Sequence, residues 1–334
     1  MAPFQKKTEF FQSSDGLHRI RLYAYQGQDQ APKAVIQLCH GMAEYVERYE
    51  PMIQWYVDRG FAVCGNDHLG HGQEAEETGS LGFFAEKEGW TFVLQDLKTV
   101  NEWIHAAWPG VPVFFYGHSM GSFFARLYAF RWPETIRGAV FSGTAGPGPV
   151  NGAGKALASV IASVRGPRFV SPFLVKANMG HYLDRIQAPV NEDAWLTRDE
   201  EVCRAYLADP LCGFPFTASA YRDMLTVLCQ VSGKAWFQGF PKDLPVLLAA
   251  GGMDPVGGYG EGVRKVFSGL ISAGLTDLTC QIWPEDRHEI HNELDREEVF
   301  RFITGWLEER LDGGEKPRAA DGRPESGAGQ ETRP

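Results

Sequence analysis

Short apolar runs alternate with amphipathic segments along most of this chain. The apolar runs predict buried β-strands, which fall at Ala34–Leu38, Phe61–Gly65, Val113–Tyr116, Ala139–Ser142, Val246–Ala250 and Leu278–Trp283. The amphipathic segments predict helices, which fall near Tyr45–Arg59, Trp90–Ala107, Ser119–Arg131, Gly257–Ala273 and Asn292–Leu311. Continuous apolar strands separated by helices are typical of a parallel sheet with helices on both faces, so the pattern predicts an α/β fold.

The N-terminal part of the chain has a different pattern, in which apolar and polar residues alternate one by one. This alternation runs between Glu9 and Tyr25, around a turn at Ser14–Gly16. It predicts a β-hairpin ahead of the parallel strands.

The regular succession of strands and helices stops between residues 143 and 240. Gly and Pro crowd the start of this segment, and an amphipathic helix follows with Leu157, Val160 and Val164 on one side. We predict a helical cap (lid) at 143–240, inserted after the sixth strand, on a core formed by residues 1–142 and 241–311. Extra helices that pack directly on the sheet are the alternative. The tail at 312–334 contains no large apolar residue, so we predict that it is disordered.

The composition limits the classes of function and of partner. The formal charge of −10 and the lack of a basic stripe argue against nucleic acid. The N-terminus lacks the apolar segment of a signal peptide, and no run of about 18 apolar residues could span a membrane. The six cysteines lie far apart, which favours reduced thiols in a cytoplasmic protein over a disulfide framework. No obligate protein partner is indicated.

The pentapeptide Gly117-His118-Ser119-Met120-Gly121 follows a predicted strand and leads into a predicted helix. In this context the pattern G-x-S-x-G forms a nucleophile elbow, which holds a serine at the tip of a strained turn. The flanking glycines let the strand and the helix approach closely, since neither carries a Cβ. Ser119 is therefore the candidate nucleophile.

A serine hydroxyl needs a base that accepts its proton, and the base needs an acid that fixes its tautomer. Where the serine lies on a nucleophile elbow, the chain order is serine, acid, histidine. The best acid is Asp254, directly after the Val246–Ala250 strand; an aspartate that only forms a turn into Pro255 is the alternative. The best base is His288, a few residues after the last strand, in preference to His291 near the final helix.

Attack on a carbonyl group creates an oxyanion, which fixed N–H donors stabilise. Each such donor lowers the activation barrier by about 3 kcal/mol. The backbone N–H of Met120, next to the nucleophile, is one predicted donor. The loop after the Ala34–Leu38 strand contains His40 and Gly41, and we assign the N–H of Met42 as the second donor. An ordinary glycine-containing turn is the alternative.

Asp67, His68 and His71 suggest a metal site by residue type alone. The two histidines would share a face only in a helix, and Gly70 and Gly72 favour a loop. We therefore expect a structural loop beside the pocket, and neither a metal nor another cofactor in the chemistry.

Four segments together carry a recognisable signature: His40–Tyr45, Asp67–Gly72, Gly117–Gly121 and Arg287–Glu289. They resemble the monoacylglycerol lipase and lysophospholipase group of α/β-hydrolases, which is similar to the proline-iminopeptidase-like serine peptidases (serine aminopeptidase, S33-like). The resemblance extends over about residues 8–311 and implies the α/β-hydrolase fold. It also implies an apolar cap that accepts an acyl chain, oxyanion donors at Met42 and Met120, and a triad of Ser119, Asp254 and His288.

The resemblance implies a serine carboxylester hydrolase that cleaves a single-chain lipid ester, monoacylglycerol or lysophospholipid, through an acyl-enzyme. A small-molecule lipid ester is then the expected partner, with at most transient contact between the cap and a membrane surface.

Two other hypotheses remain open. A serine peptidase acting on N-terminal residues would need a carboxylate for the substrate ammonium, and the candidates are Glu44, Glu192, Asp193, Asp199 and Glu200. A non-catalytic ligand receptor on the same scaffold predicts a damaged triad.

Overall fold

The computed structural model describes residues 4–28 and 31–311, so the predicted tail at 312–334 lies outside the described residues. The strands are β1 (Gln5–Gln12), β2 (Arg19–Gln26), β3 (Ala34–Cys39), β4 (Phe61–Asn66), β5 (Val113–His118), β6 (Gly138–Ser142), β7 (Val246–Gly251) and β8 (Leu278–Trp283). They form one sheet in the order β1-β2-β4-β3-β5-β6-β7-β8. The predicted hairpin pairs β1 with β2, and β2 is antiparallel to β4, while the other neighbours are parallel.

Helices cover both faces of this sheet. They are α1 (Glu50–Val57), α2 (Gly72–Glu77), α3 (Gly89–Ala107), α4 (Met120–Arg131), α5 (Pro149–Arg165), α6 (Pro172–Met179), α7 (Glu200–Ala208), α8 (Ala218–Val231), α9 (Lys234–Gly239), α10 (Glu261–Ser272) and α11 (Arg296–Glu309). One hydrophobic core contains apolar residues of α1 and α11, and the other contains those of α3, α4 and α10. The predicted mostly parallel sheet with helices on both faces is confirmed.

Several boundaries differ from the prediction; α1 begins at Glu50 instead of Tyr45, and α11 begins at Arg296 instead of Asn292. Two other differences have clear local physical reasons. β5 continues past the apolar run, because Gly117 still pairs in register with Cys39 of β3 and Phe141 of β6. α10 begins four residues later than predicted, at Glu261. The residues before it, 258 to 260, all have positive φ, which is incompatible with a right-handed helix.

The five helices α5 to α9 lie between β6 and β7, in the segment predicted as a cap. α8 packs against α3 and α4 and belongs to the same hydrophobic core, while α5 packs against α8. A separate small apolar cluster contains Trp195, which precedes α7, and Tyr206 of α7. The segment thus combines a helix packed on the core with helices further out, and its division into core and cap stays a prediction.

Two bulk expectations concern membranes and cysteines. In the described ranges no helix is both long and apolar enough to cross a bilayer. All six cysteines are free thiols.

The parallel strands β5, β6, β7 and β8 are neighbours, so their carboxyl ends meet at one edge of the sheet. The segments that follow β5, β7 and β8 carry Ser119, Asp254 and His288 respectively. The topology therefore brings the three predicted residues to the same edge, where ligands usually bind to such sheets.

Candidate active site

Ser119 lies in the turn between β5 and α4, with φ 53° and ψ −123°. Residues other than glycine rarely adopt this backbone conformation, which costs on the order of 1–3 kcal/mol. The turn is tight, because a Cβ on Gly117 would lie 2.5 Å from the carbonyl oxygen of Gly121. A Cβ on Gly121 would overlap the carbonyl oxygens of Cys39 and His40. Both glycines are required by this close approach, which has the geometry expected of a nucleophile elbow.

Asp254 and His288 are hydrogen-bonded and buried. Nδ1 of His288 lies 2.9 Å from Oδ1 of Asp254, and since an ionised carboxylate only accepts, Nδ1 carries the proton. Nε2 on the other side of the ring is then free to accept one. Oδ1 of Asp254 also accepts from the N–H of Val256 at 2.8 Å, so this aspartate both shapes the turn after β7 and orients the imidazole.

The surroundings of His288 favour its protonated form. Burial alone would lower the pKa of His288, but the charge of Asp254 and the hydrogen bond to it outweigh burial, and the pKa is raised. The N–H of His288 donates to the carbonyl of Trp195 at 3.3 Å, and the centres of the two rings lie 5.0 Å apart. The segment before α7 therefore holds the backbone and the ring of His288.

His291, the alternative base, lies elsewhere. Its ring stacks on Tyr49 with centroids 4.4 Å apart, and neither ring nitrogen has a hydrogen-bond partner among the described residues. Burial lowers the pKa of His291 to about 3. The acid is therefore paired with His288.

Within the described residues, the backbone N–H groups of Met42 and Met120, the two predicted oxyanion donors, donate to no protein acceptor. Met120 is the first residue of α4, where a helix leaves N–H groups without intrahelical partners. The neighbours of Met42 differ: the N–H of Gly41 donates to Oε1 of Glu44 at 2.5 Å, and that of Ala43 donates to Nε2 of His71 at 3.1 Å.

The Asp67–Gly72 segment supports this oxyanion loop. Nδ1 of His71 donates to the carbonyl of Leu69 at 3.0 Å, which leaves Nε2 to accept from Ala43. Burial lowers the pKa of His71 to about 4, so the ring is neutral at pH 7 and can accept. Ala43 itself has φ 54°, an unusual value that these contacts stabilise.

The residues that suggested a metal site have other partners. Oδ1 of Asp67 accepts from the N–H of Val46 at 2.9 Å, and Oδ2 accepts from the hydroxyl of Tyr23 at 3.1 Å. Within residues 4–28 and 31–311 one acidic cluster has metal-like spacing, and its members are Asp286, Glu293 and Asp295. The guanidinium of Arg198 binds all three at 2.6 to 2.8 Å, so these carboxylates already share a cation of the protein itself.

A buried ion triad connects the oxyanion loop with the histidine loop, and sequence reasoning missed it. Arg48 donates to Oε2 of Glu44 at 2.6 Å and to both carboxylate oxygens of Glu289 at 2.8 and 3.0 Å. Burial would raise the pKa of Glu289, but Arg48 lowers it to about 2. Burial raises the pKa of Glu44 despite Arg48. Because Glu44 also holds the N–H of Gly41, and Glu289 follows His288, the triad ties both loops together.

Ser119, His288, Met42 and Met120 line one cavity of about 310 Å³. Much of its apolar wall comes from α5, α6 and α8, with Leu157, Leu174, Met224, Leu225 and Leu228. Its polar lining includes Glu44, His118, Tyr206 and Glu289. The cavity can therefore take a ligand that is mostly apolar with a polar end.

A family model described as serine aminopeptidase, S33, matches residues 30–295. The match spans most of the chain and includes Met42, Ser119, Met120, Asp254 and His288. The chain belongs to the S33 serine aminopeptidase family. Its membership agrees with the resemblance that the four sequence segments carry, so that expectation is confirmed.

Two relatives of this S33 chain are named as lipases, and one similar solved structure is an esterase. A monoacylglycerol lipase from Mycolicibacterium smegmatis is 27% identical over 89% of this chain and 96% of the relative. Phospholipase YtpA from Bacillus subtilis is 28% identical over 84% of this chain and 97% of the relative. The crystal structure of a thermostable carboxyl esterase from Bacillus coagulans in complex with glycerol has a TM-score of 0.86, with 28% identity over 92% of this chain and 99% of that one. The S33 chain thus has the α/β-hydrolase fold that its motifs imply.

Proposed function

We propose that this protein is a serine carboxylester hydrolase in which Ser119 is the nucleophile, His288 the base and Asp254 the orienting acid. The observation that carries the proposal is the buried hydrogen bond between Asp254 and His288, because His288 lines the same cavity as the strained Ser119. In this proposal the backbone N–H groups of Met42 and Met120, which donate to no protein acceptor within the described residues, form the oxyanion hole.

The reaction proceeds in two halves. Nε2 of His288 accepts the hydroxyl proton of Ser119 as the serine oxygen attacks the ester carbonyl carbon, and the N–H groups of Met42 and Met120 stabilise the oxyanion. The C–O bond to the alcohol breaks, His288 gives the proton to the leaving alcohol, and an acyl-enzyme remains. His288 then accepts a proton from water, which attacks the acyl-enzyme, and Ser119 regains its proton as the carboxylic acid leaves.

The substrate class we propose is a single-chain lipid ester, monoacylglycerol or lysophospholipid. The apolar wall supplied by α5, α6 and α8 supports an acyl chain, because burying a methylene group is worth about 0.8 kcal/mol. The names of the relatives, monoacylglycerol lipase and phospholipase, support the same class.

The peptidase alternative finds no free carboxylate in the cavity. Glu44 is bound by Arg48, Asp199 caps α7, and Glu200 pairs with Arg204 on the surface. Glu192 is exposed and Asp193 is buried, and neither lines the cavity. Nothing in the described part of the chain therefore favours binding of a substrate ammonium.

A substrate panel tests the proposal. We expect kcat/KM to rise from acetyl to long-chain p-nitrophenyl esters and monoacylglycerols, and to exceed that for aminoacyl naphthylamides. A preference for acetyl esters would contradict the lipid assignment, and faster cleavage of the amides would favour the peptidase. Ser119→Ala is the control, and its loss of activity also separates the enzyme from a receptor.

We further propose transient contact between the cap and a lipid surface. α5 and the start of α6 expose apolar residues, among them Val160, Val164 and Phe173, and basic residues such as Arg165 and Arg168 lie beside them. Charge of this sign attracts anionic lipid. More protein should co-sediment with phosphatidylserine vesicles than with neutral vesicles. Failure to co-sediment with either kind of vesicle would contradict this contact.

The free cysteines support our proposal that the protein is cytoplasmic.

A further inference from the structure

Arg126 of α4 is a buried cation without an acidic partner. Its side chain is among the largest fully buried ones, and no carboxylate within residues 4–28 and 31–311 forms an ion pair with it. Buried charges are usually paired, because transfer of an unpaired charge from water is costly. Burial accordingly lowers the pKa of Arg126 to about 9.

Backbone carbonyls take the place of a carboxylate around Arg126. One terminal nitrogen donates to the carbonyl of Ala145 at 2.8 Å and to the hydroxyl of Thr144 at 3.3 Å. The other donates to the carbonyl of Val231 at 2.5 Å. The guanidinium lies 4.7 Å from the ring centre of Trp236, whose indole N–H donates to the carbonyl of Arg126 at 3.1 Å.

These partners lie at the two ends of the inserted segment: its start after β6 and its last part before β7. Thr144 and Ala145 follow β6, where the chain leaves the sheet, while Val231 ends α8 and Trp236 lies on α9, the last helix before β7. A helix C-terminus carries partial negative charge, so Val231 is a favourable site for a cation. One side chain on the helix that begins after Ser119 thus holds both ends of the insertion.

Both ends are connected with the walls of the cavity. Ala145 lines the cavity itself, and α8 contributes Met224, Leu225 and Leu228 to it. A shift of either end would move an apolar wall relative to Ser119, although Arg126 does not line the cavity.

We propose that Arg126 is a positioning residue that fixes both ends of the inserted segment against α4 and thereby sets the acyl-binding space beside Ser119. It contacts no reacting atom, so its removal changes the fit of long acyl chains and leaves the chemistry in place. The substrate part of this inference rests on the proposed function, whereas the structural part does not.

Arg126→Met tests the inference, because methionine fills part of the space without donating hydrogen bonds. Arg310→Met is a matched control. Arg310 is also a buried arginine over a tryptophan, 4.2 Å from the ring centre of Trp306, and it pairs with Asp277 away from the insertion.

We expect Arg126→Met to raise KM for long-chain esters on the order of tenfold, while kcat for an acetyl ester stays within about twofold. Arg310→Met should leave the dependence on chain length unchanged. Equal chain-length profiles for wild type and a folded Arg126→Met would overturn the inference, and so would the same change in Arg310→Met.

Hydrogen–deuterium exchange supplies a readout without substrate. In Arg126→Met the amides of residues 143–148 and 229–236 should exchange faster, and in Arg310→Met they should not. Unchanged exchange at both ends would overturn the inference even if the protein hydrolyses no lipid ester. Should Arg126→Met fail to fold, Arg126→Lys keeps the charge but lacks the planar fork, and it should show the same changes at smaller amplitude; wild-type behaviour of that variant would overturn the inference.

Discussion

Nδ1 of His288 and Oδ1 of Asp254 lie 2.9 Å apart in a buried environment, although the two residues are 34 positions apart in the chain. The bond fixes the tautomer of the imidazole and leaves Nε2 available to a proton from Ser119. It also determines how activity should depend on pH, because burial and the carboxylate act on the histidine in opposite directions.

The pH profile of the Asp254→Asn variant tests this balance. The base must be neutral, and its pKa is raised in the wild type, so kcat/KM should fall as pH drops through a value above the usual 6.5. Replacing Asp254 removes the main cause that raises the pKa of His288, while burial still lowers it. The acid limb of kcat/KM should therefore move to lower pH, and kcat should fall about 10⁴-fold.

Normalised profiles of kcat/KM against pH measure this shift. Glu200→Gln is the control, since this carboxylate pairs with Arg204 on the surface. An acid limb that stays in place in Asp254→Asn would show that another group titrates.

The close approach at the nucleophile elbow gives a second prediction. Gly121→Ala would place a Cβ against the carbonyl oxygens of Cys39 and His40. We expect the free energy of unfolding of this variant to be lower by about 1–3 kcal/mol. It should also lose most of its esterase activity, because the added Cβ pushes the elbow and the oxyanion loop apart. Gly152→Ala on α5 is the control, since its Cβ would meet no atom within 4 Å. Urea unfolding of both variants checks the difference, and equal stability would contradict the tight packing.

The buried ion triad gives a third prediction. Arg48→Met leaves Glu44 and Glu289 buried without their cation, which should lower the free energy of unfolding by about 3–5 kcal/mol. Burial would then raise the pKa of both carboxyl groups, so the deficit should grow as pH rises above the unfolded value of about 4.3.

Arg204→Met is the matched control for the triad. Its ion pair with Glu200 is 58% and 60% exposed, so its loss should cost less than about 0.5 kcal/mol. Chemical unfolding at several pH values measures both variants. A loss of stability in Arg48→Met that is as small as in Arg204→Met would contradict a structural role of the triad.

Much of the candidate site follows from local signals in the sequence. Ser119, Asp254 and His288 each come shortly after a short apolar run, and parallel strands bring such positions to one edge of the sheet. Met42 and Met120 follow from their positions in the loop after β3 and next to the nucleophile. These inferences needed only the order of elements and the geometry of turns.

The remainder depends on contacts between distant parts of the chain. Arg48 and Glu289 are 241 positions apart, and no local pattern tells which charges will pair. Arg126 donates to a carbonyl 105 positions away, and its burial depends on α8 and α9 packing over α4. The sequence contains one indication of this burial: Arg126 stands among the apolar residues Phe124, Ala125, Leu127 and Tyr128, as expected for a helix that other elements pack against.

Labelling by a fluorophosphonate probe, read by mass spectrometry of the intact chain and its peptides, tests the central claim most directly. The hydroxyl of Ser119, activated by His288, should form one phosphonyl adduct on the peptide that contains Gly117–Gly121. Ser119→Ala should remain unlabelled and lose on the order of 10⁶-fold in kcat, and Arg204→Met should label like the wild type. A wild-type chain that stays unlabelled, or a Ser119→Ala variant that retains ester hydrolysis, would contradict the assignment of Ser119 as the nucleophile.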